Sequence, residues 1–368
     1  MLKPDYLDAL PESLIDLYSQ VERDILADMA RRISQYNYWI SSAEHQRQML
    51  REMGLSQKHI IRALSQISGK SQGEIKRLMQ RACGKALESD RAYYRQHGFD
   101  APSAKSAEMK AILNAGLKST NQLFRNLTKT TASAGQTQFV NALDKAWLQI
   151  NSGAFDYNTA IRNAIKDIAR QGLQAVRYPS GHVDTLEVAV RRAVVTGVNQ
   201  TAGQLQWQLA DELGCDLVET TAHAGARPEH AVWQGKIFSR SGKHPKYPDF
   251  RTATGYGTGA GLCGWNCRHN FNPYIEGSPR AYSDKLLEEY DAKKYVYNGK
   301  KLTEYEASQM QRYHERQIRR WKRENATMQA AGQDTAESAA KIRSWQERQK
   351  DFIRQTGLKR QAEREQVY

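Results

Sequence analysis

The residues best equipped for chemistry lie in two short stretches. "GLCGWNCRHNFNPYIEG", residues 261–277, puts Cys263, Cys267, Arg268 and His269 within seven positions. "HAGARPEHAVWQGKIFS", residues 223–239, adds His223, Arg227, Glu229, His230 and Gly235. Thiolate sulfur and imidazole nitrogen at such spacings can hold tetrahedral zinc, and a small domain with little core gains most from such an ion. The candidate ligands are Cys263, Cys267, His269, His230 and His223, and zinc is the one cofactor these residue types suggest. Against it, Cys-x3-Cys is less diagnostic than Cys-x2-Cys, and no second cysteine pair follows. The alternative is a pair of buried thiols, with histidines hydrogen-bonded to loop backbone.

Three other chemistries are open to the same residues. A nucleophilic cysteine needs an imidazole within hydrogen-bond reach, which spacing alone does not supply. "GAGLCG", Gly259 to Gly264, satisfies G-x-G-x-x-G, but no buried strand precedes it and no periodic helix follows, so a nucleotide loop is rejected. Gly255, Gly257, Gly259 and Gly261 instead suggest positive φ angles in a folded loop. Arg227, Glu229 and His230 can serve acid–base chemistry or hold an anion. They can equally brace the loops, since no second carboxylate is placed beside them.

These residues must be positioned by the elements around them. The chain has 368 residues, a net charge of +14 and a mean hydropathy of −0.74, which suggests long exposed helices and more than one domain. Four cysteines make no disulfide framework, and a reducing cytoplasm is expected. The N-terminal sequence shows no secretory signal, no apolar run reaches membrane-spanning length, and no membrane partner is expected.

Helical periodicity dominates up to about residue 213. Leu14, Tyr18, Val21, Ile25, Met29 and Ile33 mark one helix face. Ser56 reads as a cap, and Ser71 with Glu74 as a capping box, so breaks are expected at both. Further helices are expected over 107–130, 135–151 and 157–176. After the "RYPSGHVD" break, Asp184 and Glu187 open a long helix that Gly214 ends. "CDLVETTAH" reads as a strand. Glycines and prolines then crowd a loop-rich stretch that no large core can fix. "YVYNGKKLT" reads as a hairpin, followed by a basic helix carrying Arg316, Arg319, Arg320, Lys322 and Arg323, and a last helix over 335–355. From Arg280 onward 20 Lys and Arg face 14 Asp and Glu, so this tail can attract DNA or merely be a solvated helical face.

The expected fold is α+β and predominantly α. A long N-terminal helical region (1–150) and further helices (151–214) precede a small Gly-rich loop/β module (215–279) and a charged helical tail (280–368).

The run "HAGARPEHAVWQGKIFS", then "YPDF", then "GYGTGAGLCGWNCRHNFNPYIEG" resembles the signature of the phage minor capsid protein 2 family, related to phage Mu F-like head-morphogenesis proteins. The tight match covers about 215–277, with His223, Arg227, His230, Gly235, Cys263, Cys267, Arg268 and His269 at signature positions. Mu F-like relatives often carry an acidic residue before the arginine; here Ala226 stands there. The resemblance implies a low-copy structural protein of a tailed phage or prophage. Its expected place is the virion, at the capsid interior or portal vertex, after assembly in the bacterial cytoplasm. Its implied partners are the portal and the capsid or procapsid proteins; the charge of the basic tail adds double-stranded DNA as a further expected partner. The competing expectation is an enzyme, a nuclease or transferase working through Arg227, Glu229, His230 and the Cys263–His269 cluster. A third is an effector delivered with the DNA.

Overall fold

The computed structural model describes residues 2–101, 106–177 and 181–367. Part of the "GFDAPSAKS" loop and of the "RYPSGHVD" break lies outside them. Helices dominate: α1 Pro4–Ala9, α2 Glu12–Gln35, α3 Ser42–Gln96, α4 Ala107–Asn151 and α5 Tyr157–Gln171. A small antiparallel pair, β1 Gln174–Arg177 and β2 Val183–Thr185, leads into α6 Leu186–Glu212. Then come β3 Leu217–Thr220, α7 Pro228–Ala231, β4 Ile237–Ser239, α8 Phe250–Thr254 and β5 Phe271–Pro273. The chain closes with α9 Asp284–Asp291, the hairpin β6 Tyr295–Tyr297 and β7 Lys300–Leu302, α10 Glu304–Ala330 and α11 Ala336–Thr356. The predominantly α fold class expected from periodicity is the one observed.

Two compact units emerge, each drawing on three separated stretches. One holds the segment up to Glu12, Gln72–Leu123 and Arg191–Gln309. The other holds Ser13–Ser71, Phe124–Val190 and everything from Met310 on.

Several expected breaks are absent. Ser56 and Ser71 cap nothing; both are fully buried inside α3, a single helix of 55 residues. They belong to a stripe of Ser56, Ile60, Leu64, Ile67, Ser71, Ile75, Met79, Ala82, Ala86, Asp90 and Tyr94, all buried and spaced by three or four. In this stripe serine acts as a small packing residue, and the Ser71 hydroxyl donates back to the Ser68 carbonyl (2.9 Å). The helices expected over 107–130 and 135–151 are likewise one, α4. Gly135 sits buried inside it, where a Cβ would meet Ile60, Met29 and Leu173 at the ordinary contact distances of 3.4–3.5 Å. Asp184 does not cap α6; it is buried in β2, near His182 (3.1 Å). A reciprocal capping box does occur elsewhere. The Thr303 hydroxyl accepts from Glu306 N (3.2 Å), and the Glu306 carboxylate accepts from Thr303 N (2.9 Å), opening α10. The expected hairpin turns on Asn298 and Gly299, both at positive φ.

In the second unit, α2 buries Leu14, Tyr18, Val21, Ile25, Met29 and Ile33, the face marked by periodicity. Its Glu22 is buried too and accepts from Leu173 N (2.7 Å), just past the C-cap Gly172 of α5. Arg323 of α10 donates to the last-turn carbonyls of Ala169 and Arg170 on α5 (2.8 and 3.3 Å).

In the first unit, the three-stranded antiparallel sheet has order β4-β3-β5, with β3 buried at all four residues. The strand expected over "CDLVETTAH" is thus present but shorter, and its central place explains burial on both faces. Val218, Phe238 and Phe271 of the sheet pack with Trp233, Phe250, Leu262, Cys263 and Cys267 in one core.

The α4–α6 crossing in this unit depends on two reciprocal glycines. A Cβ on Gly116 would lie 2.1 Å from the Thr201 hydroxyl, and one on Gly197 would lie 2.3 Å from the Thr120 hydroxyl. By contrast Gly73 on α3 has nothing within 4 Å. Gly73→Ala is expected to raise stability by about 0.5–1 kcal/mol through helix propensity. Gly116→Val is expected to lower it by about 2 kcal/mol or more through overpacking. Urea unfolding of the two variants checks both signs.

Candidate functional site

The site is built in the first unit, from one face of α6. Thr196, Asn199, Gly203 and Gln206 recur at spacings of three, four and three, so they project from one side of the helix. The first three meet the loop before β5, and Gln206 meets the first residue of β5. The Thr196 hydroxyl accepts from Asn266 N (3.2 Å). The Asn199 amide donates to the carbonyls of Cys267 (3.0 Å) and His269 (2.8 Å), and its oxygen accepts from the Asn270 amide (3.0 Å). Gly203 leaves room for Cys263, whose sulfur would lie 3.3 Å from a Cβ there. Gln206 donates to the Phe271 carbonyl (3.0 Å) and to the Asp90 carboxyl of α3 (2.8 Å). Periodicity alone marks α6 as a helix and gives these four residues no role. The available signal is four small or polar residues at helical spacing.

The loop itself is a succession of tight turns. Gly264 N donates to Gly261 O (3.0 Å), Cys267 N to Gly264 O (3.2 Å) and Trp265 N to Gly259 O (2.7 Å). Cys263 and Asn266 take left-handed φ angles of 60° and 52°, unusual for residues with a side chain. Of the four glycines expected at positive φ, only Gly255 and Gly257 are so. Gly259 and Gly261 are needed for close approach instead. A Cβ on Gly261 would lie 2.1 Å from the Gly255 carbonyl oxygen, and one on Gly259 2.5 Å from the Trp265 ring.

Among the five candidate ligands, His230, Cys267 and His269 converge. All three are buried, with one ligand atom from each within 4.8 Å of the others. Cys267 Sγ lies 3.7 Å from His230 Nδ1 and 3.8 Å from His269 Nδ1. Cys263 and His223 are neighbours outside this group. Cys263 Sγ is 3.7 Å from the His269 carbonyl oxygen, and His223 packs its ring on His269 (centroids 4.4 Å) while Nδ1 donates to Ala224 O (2.8 Å). His244 lies apart, 3.6 Å from Glu276.

The tautomers follow from the partners. Gln234 Oε1 accepts from His223 N (3.1 Å), so it is the amide oxygen that meets His269 Nε2 at 3.1 Å, and Nε2 must carry the proton. His230 Nε2 lies 2.9 Å from the Ala260 carbonyl and 3.3 Å from an Arg227 nitrogen. These contacts demand opposite tautomers. The shorter one, to an oxygen that can only accept, places the proton on Nε2, and Arg227 Nη2 donates to the Trp265 carbonyl (3.3 Å). Both histidines therefore turn an Nδ1 lone pair towards Cys267. Burial holds His269 well below the usual imidazole range, with neighbouring His223 and His230 adding to it. It also lowers His230 and raises the Cys267 and Cys263 thiols.

The remaining signature residues brace the same module. Arg268 pairs with Asp8 of α1 (2.9 Å). Gly235 has φ 64°, and a Cβ there would lie 2.8 Å from Leu287 and 3.0 Å from Tyr282. Glu219 of β3, missed by spacing arguments, is buried and accepts from Ala281 N and Tyr282 N (2.9 and 3.1 Å), tying down the chain beyond β5. Glu229 is exposed. A cavity of about 470 Å³ in this unit is lined by Trp207, Arg251, Tyr256 and Cys263 among others, and not by Arg227, Glu229 or His230.

Two outcomes test the α6 clamp. Asn199→Ala leaves two carbonyls and the Asn270 amide without their partner, and is expected to cost about 3 kcal/mol in chemical unfolding. Burial pushes the Asp90 carboxyl up to about 7 from an ordinary 3.8. Between these values the folded state binds the proton that the unfolded state has lost, so stability declines as pH rises through that window, by at most about 1.4 kcal/mol per unit. Asp90→Asn keeps an acceptor for Gln206 and is expected to flatten the decline between about pH 4 and pH 7, the range the two values bracket, read from melting temperatures across pH.

The chain is matched over residues 2–354 by the family model described as phage minor capsid protein 2. A structural protein of Lactococcus phage LL-H is 28% identical over 283 residues, covering 73% of this chain and 73% of that one. A structural protein of Lactococcus phage mv4 is 35% identical over 127 residues, 34% of this chain and 94% of its own. No solved structure matches the chain. A family match spanning nearly the whole chain, on the loop signature that α6 clamps in place, makes this protein a member of the phage minor capsid protein 2 family.

Proposed function

We propose that this chain is a structural component of a tailed-phage or prophage head. It is present in few copies, seated inside the capsid at the portal vertex, and performs no turnover of its own. Family membership and the structural proteins among its relatives support the structural role. The observation that carries it furthest is the inward engagement of the signature. Arg268 is spent on Asp8, Arg227 faces the Trp265 carbonyl, and His230, Cys267 and His269 face one another out of solvent. Such groups brace a module; a catalytic set would open on a cleft. Glu229 stands exposed, with the 470 Å³ cavity elsewhere, which disfavours a nuclease or transferase using the Arg227–Glu229–His230 set.

Contact with DNA is a weaker part of the same proposal. Of the five basic residues marked on α10, Arg319 pairs with Glu187 and Arg323 caps α5. Lys322 donates to Gln366 (3.0 Å), and Arg320 lies over the Trp321 ring (4.7 Å). Arg316 is exposed. DNA attraction then comes from the overall charge of +14 rather than from a dedicated stripe.

The expected outcome is that the protein is found by mass spectrometry in purified virions, at a small fraction of the major capsid protein, and co-elutes with co-expressed portal protein. Absence from both virions and procapsids overturns the proposal. Duplex binding by the full chain is expected to fall by less than roughly 10³-fold between about 50 and 200 mM salt, the loss that six or more phosphate contacts would produce.

A further inference from the structure

We propose that His230 Nδ1, Cys267 Sγ and His269 Nδ1 are the protein ligands of a structural zinc ion that locks α7 onto the loop before β5. The inference goes beyond the head-protein role and does not depend on it.

Geometry comes first. Zinc–sulfur and zinc–nitrogen bonds of about 2.3 and 2.05 Å at a tetrahedral angle separate sulfur from nitrogen by about 3.6 Å. The two sulfur–nitrogen separations here are 3.7 and 3.8 Å. A second observation concerns protons. Both imidazoles donate through Nε2, to Ala260 O and to Gln234 Oε1, so both Nδ1 lone pairs point at the same sulfur. A thiol carries one proton and satisfies one of them at most; the other remains a buried acceptor with no donor. A divalent cation resolves this. It accepts both lone pairs and the sulfur, and the thiol proton leaves to solvent as the zinc–thiolate bond forms.

The outer partners fit as well. A carbonyl and a side-chain amide oxygen orient the far nitrogens of the two imidazoles, the arrangement that fixes tautomer and ring plane at metal-bound histidines. The Gln234 oxygen is itself fixed by His223 N. Asn199 holds the backbone carbonyls of both Cys267 and His269, so two of the three ligands are set by one amide on α6. His230 comes from a different element, the short α7, so an ion here joins segments more than thirty residues apart in sequence. That is the arrangement in which a metal contributes most to a module with little core of its own.

The test uses the full-length protein, purified without chelator from zinc-supplemented medium. Elemental analysis is expected to give one zinc per chain, and chelator is expected to lower the melting temperature. Cobalt(II) exchanged into the wild-type protein is expected to show tetrahedral d–d bands with a thiolate charge-transfer band, a readout that needs no variant to fold. Cys267→Ser is expected to abolish the charge-transfer band and zinc retention, while Cys263→Ser keeps both; circular dichroism checks that each variant is folded. Zinc far below one per chain, both as purified and after reconstitution, overturns the proposal. So does a folded Cys267→Ser protein that retains metal while Cys263→Ser loses it.

Discussion

A single buried amide organises the signature module. Asn199 sits on α6 with no solvent exposure and uses both of its donors and its acceptor, on Cys267 O, His269 O and Asn270. Loop backbone carries carbonyls that must be satisfied once buried, and this loop has no long strand to satisfy them. The sheet offers β5 only three residues. The helix face of Thr196, Asn199, Gly203 and Gln206 supplies what the ladder cannot: two hydrogen-bonding clamps around one close approach. Every residue of the metal-like cluster inherits its position from that face or from a segment tied to it.

The module is held together by more than hydrophobic volume. Its apolar core is small and aromatic, with Trp207 stacked on Tyr256 and two guanidiniums, Arg240 and Arg251, over the indole. Around it, charged groups are paired inside the unit: Arg268 with Asp8, Arg240 with Asp211, and Glu219 with two backbone amides. Polar networks of this kind specify one arrangement more than they add net stability, because each half-satisfied alternative leaves a buried group unpaired.

The long helices follow another logic. α3 keeps a buried stripe from Ser56 to Tyr94 that includes two serines, and the α4–α6 crossing relies on reciprocal glycines against threonines. Helix breaks inferred from serine and glycine fail here for one physical reason. The same small side chain that caps a free helix end also lets a neighbouring helix come close, and only the neighbour decides between the two.

Much is legible in the order of residues alone: the predominance of helix, the buried face of α2, the strand at β3, the Asn-Gly hairpin and the residues of the signature. Each rests on local periodicity or turn chemistry that needs no distant partner. The family, too, was legible, because a long ordered motif is specific without coordinates. Which of the five thiol and imidazole candidates meet depends on the fold. Spacing brings Cys263, Cys267 and His269 close along the chain, and both sulfurs lie 3.7 Å from the His269 carbonyl oxygen, yet only that of Cys267 also faces two imidazoles. His230 joins from α7, more than thirty residues earlier in the chain, while His223, also nearby, has its Nδ1 occupied by the next residue's carbonyl. Asn199 was invisible for the same reason: a buried polar group acquires its meaning from the unpaired backbone it meets, and that backbone lies about seventy residues away.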